Sequence, residues 1–385
     1  MRTLIQNASL ISPGVHIEKG AVLLAGDRIE QVFTSNRKLP EADQVIDLEG
    51  LRLLPGFIDI HCHGRSNQDF CDGTEEAICR IGRDKLQEGV TGFLATTLTV
   101  SKKDLEKTLQ SAEKYRTENN DGARLLGVHL EGPFFNPEGA GAQNPDFLKL
   151  PDFSLVAELN AICPVRKVSY SPELPGAMEF TRQLAEAGIM PSGAHSTADY
   201  EQTLKALEAG MKHLTHFCNV MTPLHHLRFG MVGAGLTEKD IYVEIICDGV
   251  HLMDPMIKLI LQMKGADRVM LITDAIRAAG MPDGNYSLGG LPVIVKNGKA
   301  MLAHADRVAG STLQFFKGIQ KVARVTSLPP SEIVKMTAWN QANSLGLENF
   351  GKIEPGFFAD FAVTDHDWNP VQTWVAGTPR WKAIF

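Results

Sequence analysis

The stretch Val128-His129-Leu130-Glu131-Gly132-Pro133 shows where a strand ends and a polar site begins. The apolar run that starts at Leu125 predicts a buried strand, and the Gly-Pro turn ends it because proline has no backbone N–H to donate. Glu131 therefore lies at the strand exit, which is where parallel α/β folds carry their active sites. A single carboxylate in this position is a weak signal, so its meaning depends on the other strand exits.

Between residues 54 and 350 the chain repeats an apolar strand followed by a helix-like stretch roughly eight times, which predicts an α/β fold of the (β/α)8 TIM-like barrel type. A doubly wound open sheet is the alternative, but no GxGxxG turn follows the first strand, and polar residues at most strand exits fit a closed barrel better. Glycine turns near residues 280–310 predict a β insertion after the last strand. The predicted strands span residues 57–63, 92–98, 125–131, 165–171, 190–195, 213–218, 242–248 and 269–274.

Both chain ends have a different pattern, in which short apolar runs alternate with turns. Residues 1–53 and 351–385 show the period of two that is typical of strands, and short strands need partners to be stable. We therefore expect the two ends to form one small β-sandwich domain, with residues 54–350 as the barrel domain.

Composition excludes several classes of partner. The chain has 385 residues, 44% of them hydrophobic, and a net charge of −7 without a basic stripe, which argues against nucleic acid or an anionic membrane as a partner. The N-terminus lacks a secretory pattern, and no run of about 18 apolar residues predicts a membrane span. Six cysteines without CxxC spacing fit reduced thiols, so we expect a cytoplasmic protein.

Histidines at strand exits indicate a metal site. His61 and His63 are two residues apart, so on a strand both point to one side, as a chelating pair requires, whereas Cys62 points away. His195 and His216 lie at the ends of the fifth and sixth predicted strands. Two unrelated polar residues are the alternative for the His61/His63 pair, and a structural hydrogen bond is the alternative for any single histidine. Several buried imidazoles without a shared charge partner would remain unsatisfied, which favours ligation of a metal ion.

Asp274 ends the fully apolar strand at residues 269–274. It can be a metal ligand, a group that takes a proton from water and passes it to a leaving group, or the N-cap of the next segment. We favour a catalytic role. His129 lies two residues before Glu131 on the same face but deeper, so we expect it to support the site rather than bind the metal.

Short motifs run in order through nearly the whole chain. They are PGFIDIHCHG at residues 55–64, HLEGPFFN at 129–136, GAGAQNP at 139–145, GAHS at 193–196, THFCNVMTP at 215–223, DGVH at 248–251, ITDA at 272–275 and AGSTL at 309–313. In this order they resemble the N-acetylglucosamine-6-phosphate deacetylases of the amidohydrolase superfamily.

The resemblance implies a metal-dependent hydrolase that cleaves the N-acetyl amide of an amino sugar 6-phosphate into acetate and glucosamine 6-phosphate. It implies that the principal divalent metal is held by Glu131, His195 and His216. Members with a pair such as His61 and His63 can hold two ions; zinc is expected first, with iron, manganese or cobalt as alternatives.

The resemblance also indicates which residue would bridge two metal ions and which residue would transfer the proton. Related hydrolases bridge two metals with a modified lysine on the fourth strand, but Lys167 is near the start of that strand, so Glu131 is the better bridge. Asp274 would accept a proton from the activated water and donate it to the departing amine.

Substrate contacts and a homodimer follow from the resemblance as well. One departure lies at Leu227-Arg228-Phe229-Gly230, where the family usually reads Arg-Glu-Pro-Gly and uses its Arg on the phosphate held by a neighbouring subunit. Either Arg228 serves instead, or the substrate is another N-acetylated sugar, such as the galactosamine epimer. Val220, where members commonly have Ala, also points to a modified sugar pocket. The implied contact residues are Gln143, Asn219, Val220, Arg228, His251 and Leu313, the last of which borders the acetyl pocket.

Two other function classes compete with this interpretation. Another N-acyl amide hydrolase, such as a deacylase of N-acyl amino acids, would keep the metal residues and change the pocket. A non-catalytic relative would have lost metal ligands or Asp274, and all of these residues are present.

Overall fold

Parallel strands whose residues are almost all buried form the barrel in this computed structural model, which describes residues 1–34, 38–118 and 121–384. Their hydrogen-bonded order follows the chain order, so the predicted barrel is confirmed. The first and last strands meet through the Cys62–Ala275 bridge, where the Asp274 N–H donates to the His61 carbonyl at 2.9 Å. Barrel strands 1 to 8 are Phe57–Asp59, Val90–Thr96, Arg124–Glu131, Val165–Tyr170, Met190–Gly193, His213–Leu214, Tyr242–Ile246 and Val269–Ile272.

Barrel strand 6 is much shorter than its predicted span of residues 213–218. The chain turns directly after Leu214, and His216 and Cys218 adopt φ values of +36° and +77°, which no strand tolerates. The alternating apolar residues of this segment predict a strand, and that prediction is wrong beyond Leu214. The turn is what brings His216 to the barrel mouth.

Helices cover the outside of the barrel. Asp199 caps the helix Tyr200–Glu208. Its side chain accepts a hydrogen bond from the Gln202 N–H, and the side chain of Gln202 accepts one from the Asp199 N–H. Within the described residues, no helix has the length and apolar composition needed to cross a membrane. The α-helices are Glu75–Lys85, Lys102–Glu118, Phe153–Ile162, Ala177–Glu186, Tyr200–Glu208, Gly230–Thr237, Asp254–Lys264, Phe315–Val325, Pro330–Ile333 and Trp339–Ser344.

The helix Gly230–Thr237 is absent from the sequence-based prediction because its glycines oppose helix formation. The structure shows why glycine is needed at two of these positions. A Cβ on Gly235 would lie 2.2 Å from the Phe217 ring, and one on Gly233 would lie 2.4 Å from Phe229. The glycines thus allow this helix, which is buried from Gly230 to Leu236, to pack closely against Phe217 and Phe229.

Strands from both chain ends form one continuous mixed sheet of eight strands. Arg2–Ser12 is long enough to pair along one edge first with Gln44–Asp47 and then with Arg52–Pro55, while Val15–Ala25 covers its other edge. The small β domain therefore unites both termini, as predicted. Its strands are Arg2–Ser12, Val15–Ala25, Arg28–Phe33, Gln44–Asp47, Arg52–Pro55, Phe361–Thr364, Pro370–Val375 and Thr378–Lys382.

The exact domain boundaries at residues 53/54 and 350/351 stay a prediction, and residues 35–37 and Phe385 of the predicted terminal domain lie outside the described residues. A separate three-stranded antiparallel sheet occupies the predicted β insertion and packs against Leu98 and Ile276 beside the barrel mouth. Its strands are Gly284–Leu288, Leu291–Lys296 and Lys299–Leu302.

A partly buried ion pair between Arg124 and Asp360 helps to join the barrel to the terminal sheet. Arg124, at the start of barrel strand 3, donates two hydrogen bonds of 2.9 and 3.3 Å to the carboxylate of Asp360. The same carboxylate accepts the Ala376 N–H at 2.7 Å and is only 7% exposed. Its loss would leave donors from two parts of the chain without their acceptor.

We predict that Asp360→Ala lowers the free energy of unfolding by about 2–3 kcal/mol, because hydrogen bonds to charged groups are lost and buried donors remain. Urea denaturation measures this change. Glu41→Ala removes an exposed carboxylate of the same domain and is expected to change stability by less than about 0.5 kcal/mol. Equal effects of the two substitutions would contradict the prediction.

Candidate active site

Strand exits gather six polar side chains at one end of the barrel. Each of these residues as a whole is at most 7% exposed, although histidine and carboxylate side chains are costly to bury without partners. Glu131 is the last residue of barrel strand 3, and the others follow strands 1, 5, 6 and 8 directly. The six residues are His61, His63, Glu131, His195, His216 and Asp274.

Three of these residues have a strained backbone. His195, His216 and Asp274 adopt φ values of +48°, +36° and +51°, in the left-handed region that residues with a Cβ rarely enter. Such conformations cost on the order of 1–3 kcal/mol each and cluster at functional sites. At Asp274 a neighbouring segment of the same chain stabilises this backbone conformation, because the Ser311 N–H donates to the Asp274 carbonyl at 2.7 Å. The strain turns each side chain towards the centre of the barrel mouth.

Glu131, His195 and His216 form the first group of possible metal ligands. The Nε2 atoms of both histidines lie 3.3 and 3.1 Å from Glu131 Oε1. His195 Nδ1 lies 3.1 Å from the Gly139 carbonyl, which can only accept, so Nδ1 carries the proton and the Nε2 lone pair is free. This is the tautomer that a metal ligand requires.

His61, His63 and Asp274 form the second group. Asp274 Oδ1 lies 3.3 Å from His61 Nε2 and 3.2 Å from His63 Nε2, and the two Nε2 atoms are 3.3 Å apart. The two histidines converge on one side as predicted, but the predicted strand at residues 57–63 is wrong beyond Asp59: both histidines follow the strand and flank the isolated Cys62–Ala275 bridge. Cys62 points elsewhere, with its Sγ 3.6 Å from the Leu94 carbonyl, so it is not part of the group.

Glu131 lies between the two groups. Its Oε1 is within 3.1–3.4 Å of His61, His195 and His216, and its Oε2 is 3.3 Å from His63. Neutral imidazoles whose Nε2 atoms face each other at 3.0 Å, as in His195 and His216, repel unless a proton or a cation lies between them. The nitrogen and carboxylate donors are those that zinc and similar divalent ions prefer, so the residues fit a metal centre with Glu131 as a shared ligand.

The pKa values of these residues in the protein without metal also indicate a site for a cation. Burial alone would raise the pKa of Glu131, but the surrounding imidazoles, His61 foremost, hold its pKa well below the usual range. The pKa of Asp274 is lowered against the effect of burial by the charge of His61 and by hydrogen bonds. Burial opposes the charged form of His63, yet the bonds with Asp274 and Glu131 outweigh it and raise the pKa of His63 to about 10. The site therefore favours positive charge between its carboxylates.

A cavity of about 430 Å³ opens above these residues, which is large enough for a small organic substrate. Its floor contains His63, Glu131, His195, His216 and Asp274. Its walls combine apolar side chains with a few polar groups. The wall residues are Leu98, Glu138, Gly141, Ala142, Gln143, Asn219, Val220, His251, Leu288, Arg307, Val308 and Gly310.

Gln143 and His251, two of the predicted substrate contacts, are held by neighbours. The amide of Gln143 donates to Glu131 Oε2 at 2.6 Å and accepts the Thr99 N–H at 2.9 Å, so it is fixed beside the ligand cluster. His251 Nδ1 lies 2.7 Å from the Asp248 carboxylate, which leaves its Nε2 available to a ligand. Both side chains lie on the cavity wall and present polar atoms to it.

Asn219 and Val220 also lie on the cavity wall, whereas Arg228 and Leu313 do not. Arg228 lines a separate surface cavity together with Leu227 and Phe229. Leu313 is 8% exposed and packs in an apolar cluster with side chains such as Ile246 and Ile272. Their predicted roles receive no support from the geometry of this single chain.

Sequence reasoning missed several residues of the site. Glu244 is fully buried below the candidate metal ligands, and Lys167 contacts it across the barrel interior from a strand that is not its neighbour. A lone carboxylate in the apolar run Tyr242-Val243-Glu244-Ile245-Ile246 was a usable signal, because such a charge needs a buried partner. Arg307, by contrast, lies in an exposed turn of the β insertion, where an arginine carries no signal.

Comparisons with known proteins agree with this geometry. The model of the amidohydrolase family matches residues 52–380 of the chain. An N-acetylglucosamine-6-phosphate deacetylase of Lysinibacillus sphaericus is 34% identical over 98% of this chain and 97% of its own. An N-acetylgalactosamine-6-phosphate deacetylase of Escherichia coli O157:H7 is also 34% identical, over 84% of this chain and 86% of its own.

Solved structures agree over the full length. The N-acetylglucosamine-6-phosphate deacetylase of Thermotoga maritima superimposes with a TM-score of 0.90 at 33% identity, covering 99% of this chain and 100% of that one. A mutant of the Mycobacterium smegmatis N-acetyl-D-glucosamine-6-phosphate deacetylase, in complex with N-acetyl-D-glucosamine-6-phosphate, gives 0.91 at 30% identity, covering 98% and 99%. The chain therefore belongs to the N-acetylglucosamine-6-phosphate deacetylase family within the amidohydrolases.

Proposed function

We propose that the protein hydrolyses the N-acetyl amide of an amino sugar 6-phosphate, with N-acetylglucosamine 6-phosphate as the first candidate, and releases acetate and glucosamine 6-phosphate. The observation that carries this proposal is the position of Glu131 between two buried groups of possible metal ligands, with Asp274 on the floor of the same cavity. The names of the relatives support the choice of substrate.

Each polar group has a role in this proposal. Glu131, His195 and His216 would hold one divalent ion, and His61 and His63 would hold a second. The metal, for which we propose zinc, would supply Lewis-acid activation of the amide carbonyl and of a water molecule whose pKa it would lower.

Asp274 moves the proton. Its Oδ1 faces the space between His61 and His63, so it is placed to accept the proton of the attacking water and to donate it to the amine nitrogen as the C–N bond breaks. The low pKa of Asp274 keeps its carboxylate ionised in the protein without metal.

Recognition of the sugar rests on the polar wall. Asn219, His251 and the backbone at Val220 face the cavity, and Gln143 lies beside the ligand cluster. Arg228 lies outside this cavity, so we propose that it reaches the phosphate only from the second copy in a homodimer. We further propose that the protein is cytoplasmic. Residues 1–53 and 351–385 together form one domain, and residues 54–350 form the other.

The galactosamine epimer is a second candidate substrate. The chain departs from the family pattern at Leu227-Arg228-Phe229, and a relative named for N-acetylgalactosamine-6-phosphate is as similar as one named for the glucosamine compound. The epimers differ at one hydroxyl, so one contact in the sugar pocket can decide between them.

A substrate panel tests the assignment. We predict that kcat/KM for N-acetylglucosamine 6-phosphate exceeds that for N-acetylglucosamine by roughly tenfold to a hundredfold, because charged hydrogen bonds to the phosphate are lost in the free sugar. The galacto epimer of the phosphate and an N-acetyl amino acid complete the panel. Equal rates with and without phosphate would contradict the phosphosugar assignment, and a preference for the amino acid would favour a different amide hydrolase.

We predict that Asp274→Asn lowers kcat by about 10²- to 10⁴-fold, because the amide cannot accept and return a proton. The ion at Glu131, His195 and His216 should remain, as measured by metal analysis of the purified variant. Glu18→Gln, an exposed change in the terminal sheet, is the control and should leave kcat unchanged. A kcat within a factor of about three of the wild type would remove Asp274 from this role.

Removal of the metal by a chelator should abolish turnover and lower Tm, because an ion that binds only the folded protein stabilises it. Addition of zinc should restore both. Turnover that persists after the metal content has fallen to background would rule out the metal-dependent mechanism.

A further inference from the structure

Two charged residues lie inside the barrel, beneath the candidate metal site. Lys167 belongs to barrel strand 4 and Glu244 to barrel strand 7, and both are 0% exposed. These strands are not neighbours in the sheet, so their side chains meet through the barrel interior. A buried ion pair in this position is expensive, since two charges leave water, and apolar side chains of similar size would fill the space at lower cost.

The ion pair uses only one of the two carboxylate oxygens. Lys167 Nζ donates to Glu244 Oε1, and His213 Nδ1 lies 3.3 Å from the same oxygen. Glu244 Oε2 has no hydrogen-bond partner among the described residues. An unused carboxylate oxygen is the feature of this pair that a purely structural role leaves unexplained, because a buried acceptor without a donor is costly.

The unused oxygen faces one of the candidate metal ligands. Glu244 Oε2 lies 3.7 Å from His61 Nδ1, and that nitrogen also lacks a hydrogen-bond partner within the described part of the chain. The other ring nitrogen of His61, Nε2, faces His63, Glu131 and Asp274. The ring thus connects the buried carboxylate with the second group of ligands.

We propose that Glu244 is a positioning residue for metal binding by the His61, His63 and Asp274 group. When His61 Nε2 binds a cation, its proton must be on Nδ1, and Glu244 Oε2 is the acceptor that holds it there. The gap of 3.7 Å has to close by roughly 0.8 Å to reach hydrogen-bond length. Lys167 keeps the carboxylate ionised and fixes its other oxygen.

This inference rests on the proposed metal-dependent function but concerns one group of ligands only. In the first group, His195 Nδ1 already has an acceptor, the Gly139 carbonyl at 3.1 Å. Glu244 therefore affects the affinity for the second ion only. It helps to determine whether the site contains one ion or two.

Glu244→Gln gives a sharp test, because Lys167 determines how the new amide is oriented. The ammonium of Lys167 requires an acceptor, so the Gln oxygen stays on that side and the NH₂ group faces His61 Nδ1. The ring then accepts at Nδ1 and carries its proton on Nε2, where a cation would bind. We expect affinity for the second ion to fall tenfold to a hundredfold, while the first ion is retained.

The double variant Lys167→Met with Glu244→Gln provides the rescue. Without the ammonium the Gln amide can rotate, and its oxygen can accept from His61 Nδ1, so affinity for the second ion should recover towards the wild-type value. Glu88→Gln is the matched control, because Glu88 is a buried carboxylate paired with Arg65 and its change should leave both ions bound.

The measurements are zinc content per chain, dissociation constants from competition with a chromophoric chelator, and the visible spectrum of the cobalt-loaded protein. Tm of every variant records the general loss of stability. Two ions in the wild type, one in Glu244→Gln and two again in the double variant support the proposal. Unchanged binding in Glu244→Gln, parallel loss of both ions, a loss equal to that of Glu88→Gln, or no rescue would each overturn it.

This outcome is separable from that of the proposed function, because metal binding is measured without substrate. A wild-type chain that binds two ions but hydrolyses no amino sugar phosphate contradicts the proposed function and leaves the role of Glu244 standing. A wild-type chain that binds one ion overturns the role of Glu244, even if it is an active deacetylase. If Glu244→Gln alone fails to fold, the double variant Lys167→Met with Glu244→Leu, which has no acceptor for His61 Nδ1, takes its place. We expect it to lose the second ion while the Lys167→Met/Glu244→Gln variant keeps it, and equal affinity of the two double variants for the second ion would overturn the proposal.

Discussion

Repulsion among buried like groups is the constraint on which the site depends. Four imidazoles and two carboxylates converge on a few ångströms of space, and each is almost completely shielded from water. Such a cluster is stable only with positive charge at its centre, supplied by protons or by metal ions. The rest of the architecture serves this cluster: the barrel brings the strand exits together, and the strained backbones at His195, His216 and Asp274 turn the side chains inward.

The barrel and the convergence of the six polar side chains were predictable from the sequence because both follow from short-range patterns. A strand places alternate residues on one side, which indicates the His61 and His63 pair, and an apolar run that stops at a polar residue indicates Glu131 and Asp274. The barrel then brings these exits to one end, so distant residues become neighbours without any long-range information.

The other features depend on contacts that no local pattern contains. The helix Gly230–Thr237 reads as a loop because its glycines matter only where Phe217 and Phe229 press against them. Barrel strand 6 ends at Leu214 because the chain turns to place His216, whereas its apolar alternation predicts a longer strand. Arg228 and Leu313 were assigned by family position, and only the three-dimensional arrangement shows that neither lies on the cavity wall of this chain.

The mixed sheet of the terminal domain has a consequence for biosynthesis. Strand Arg52–Pro55 pairs on one side with the first strand of the chain and on the other with Phe361–Thr364. A ribosome makes the amino-terminal strands first, so this edge stays open until about 300 further residues have been added at roughly 5–20 residues per second. During that interval the exposed edge can pair with other chains. Completion of the carboxyl-terminal strands therefore acts as the last step that protects the newly made protein from aggregation. Truncation near residue 360 is a hazard for solubility even though the candidate metal ligands would all be present.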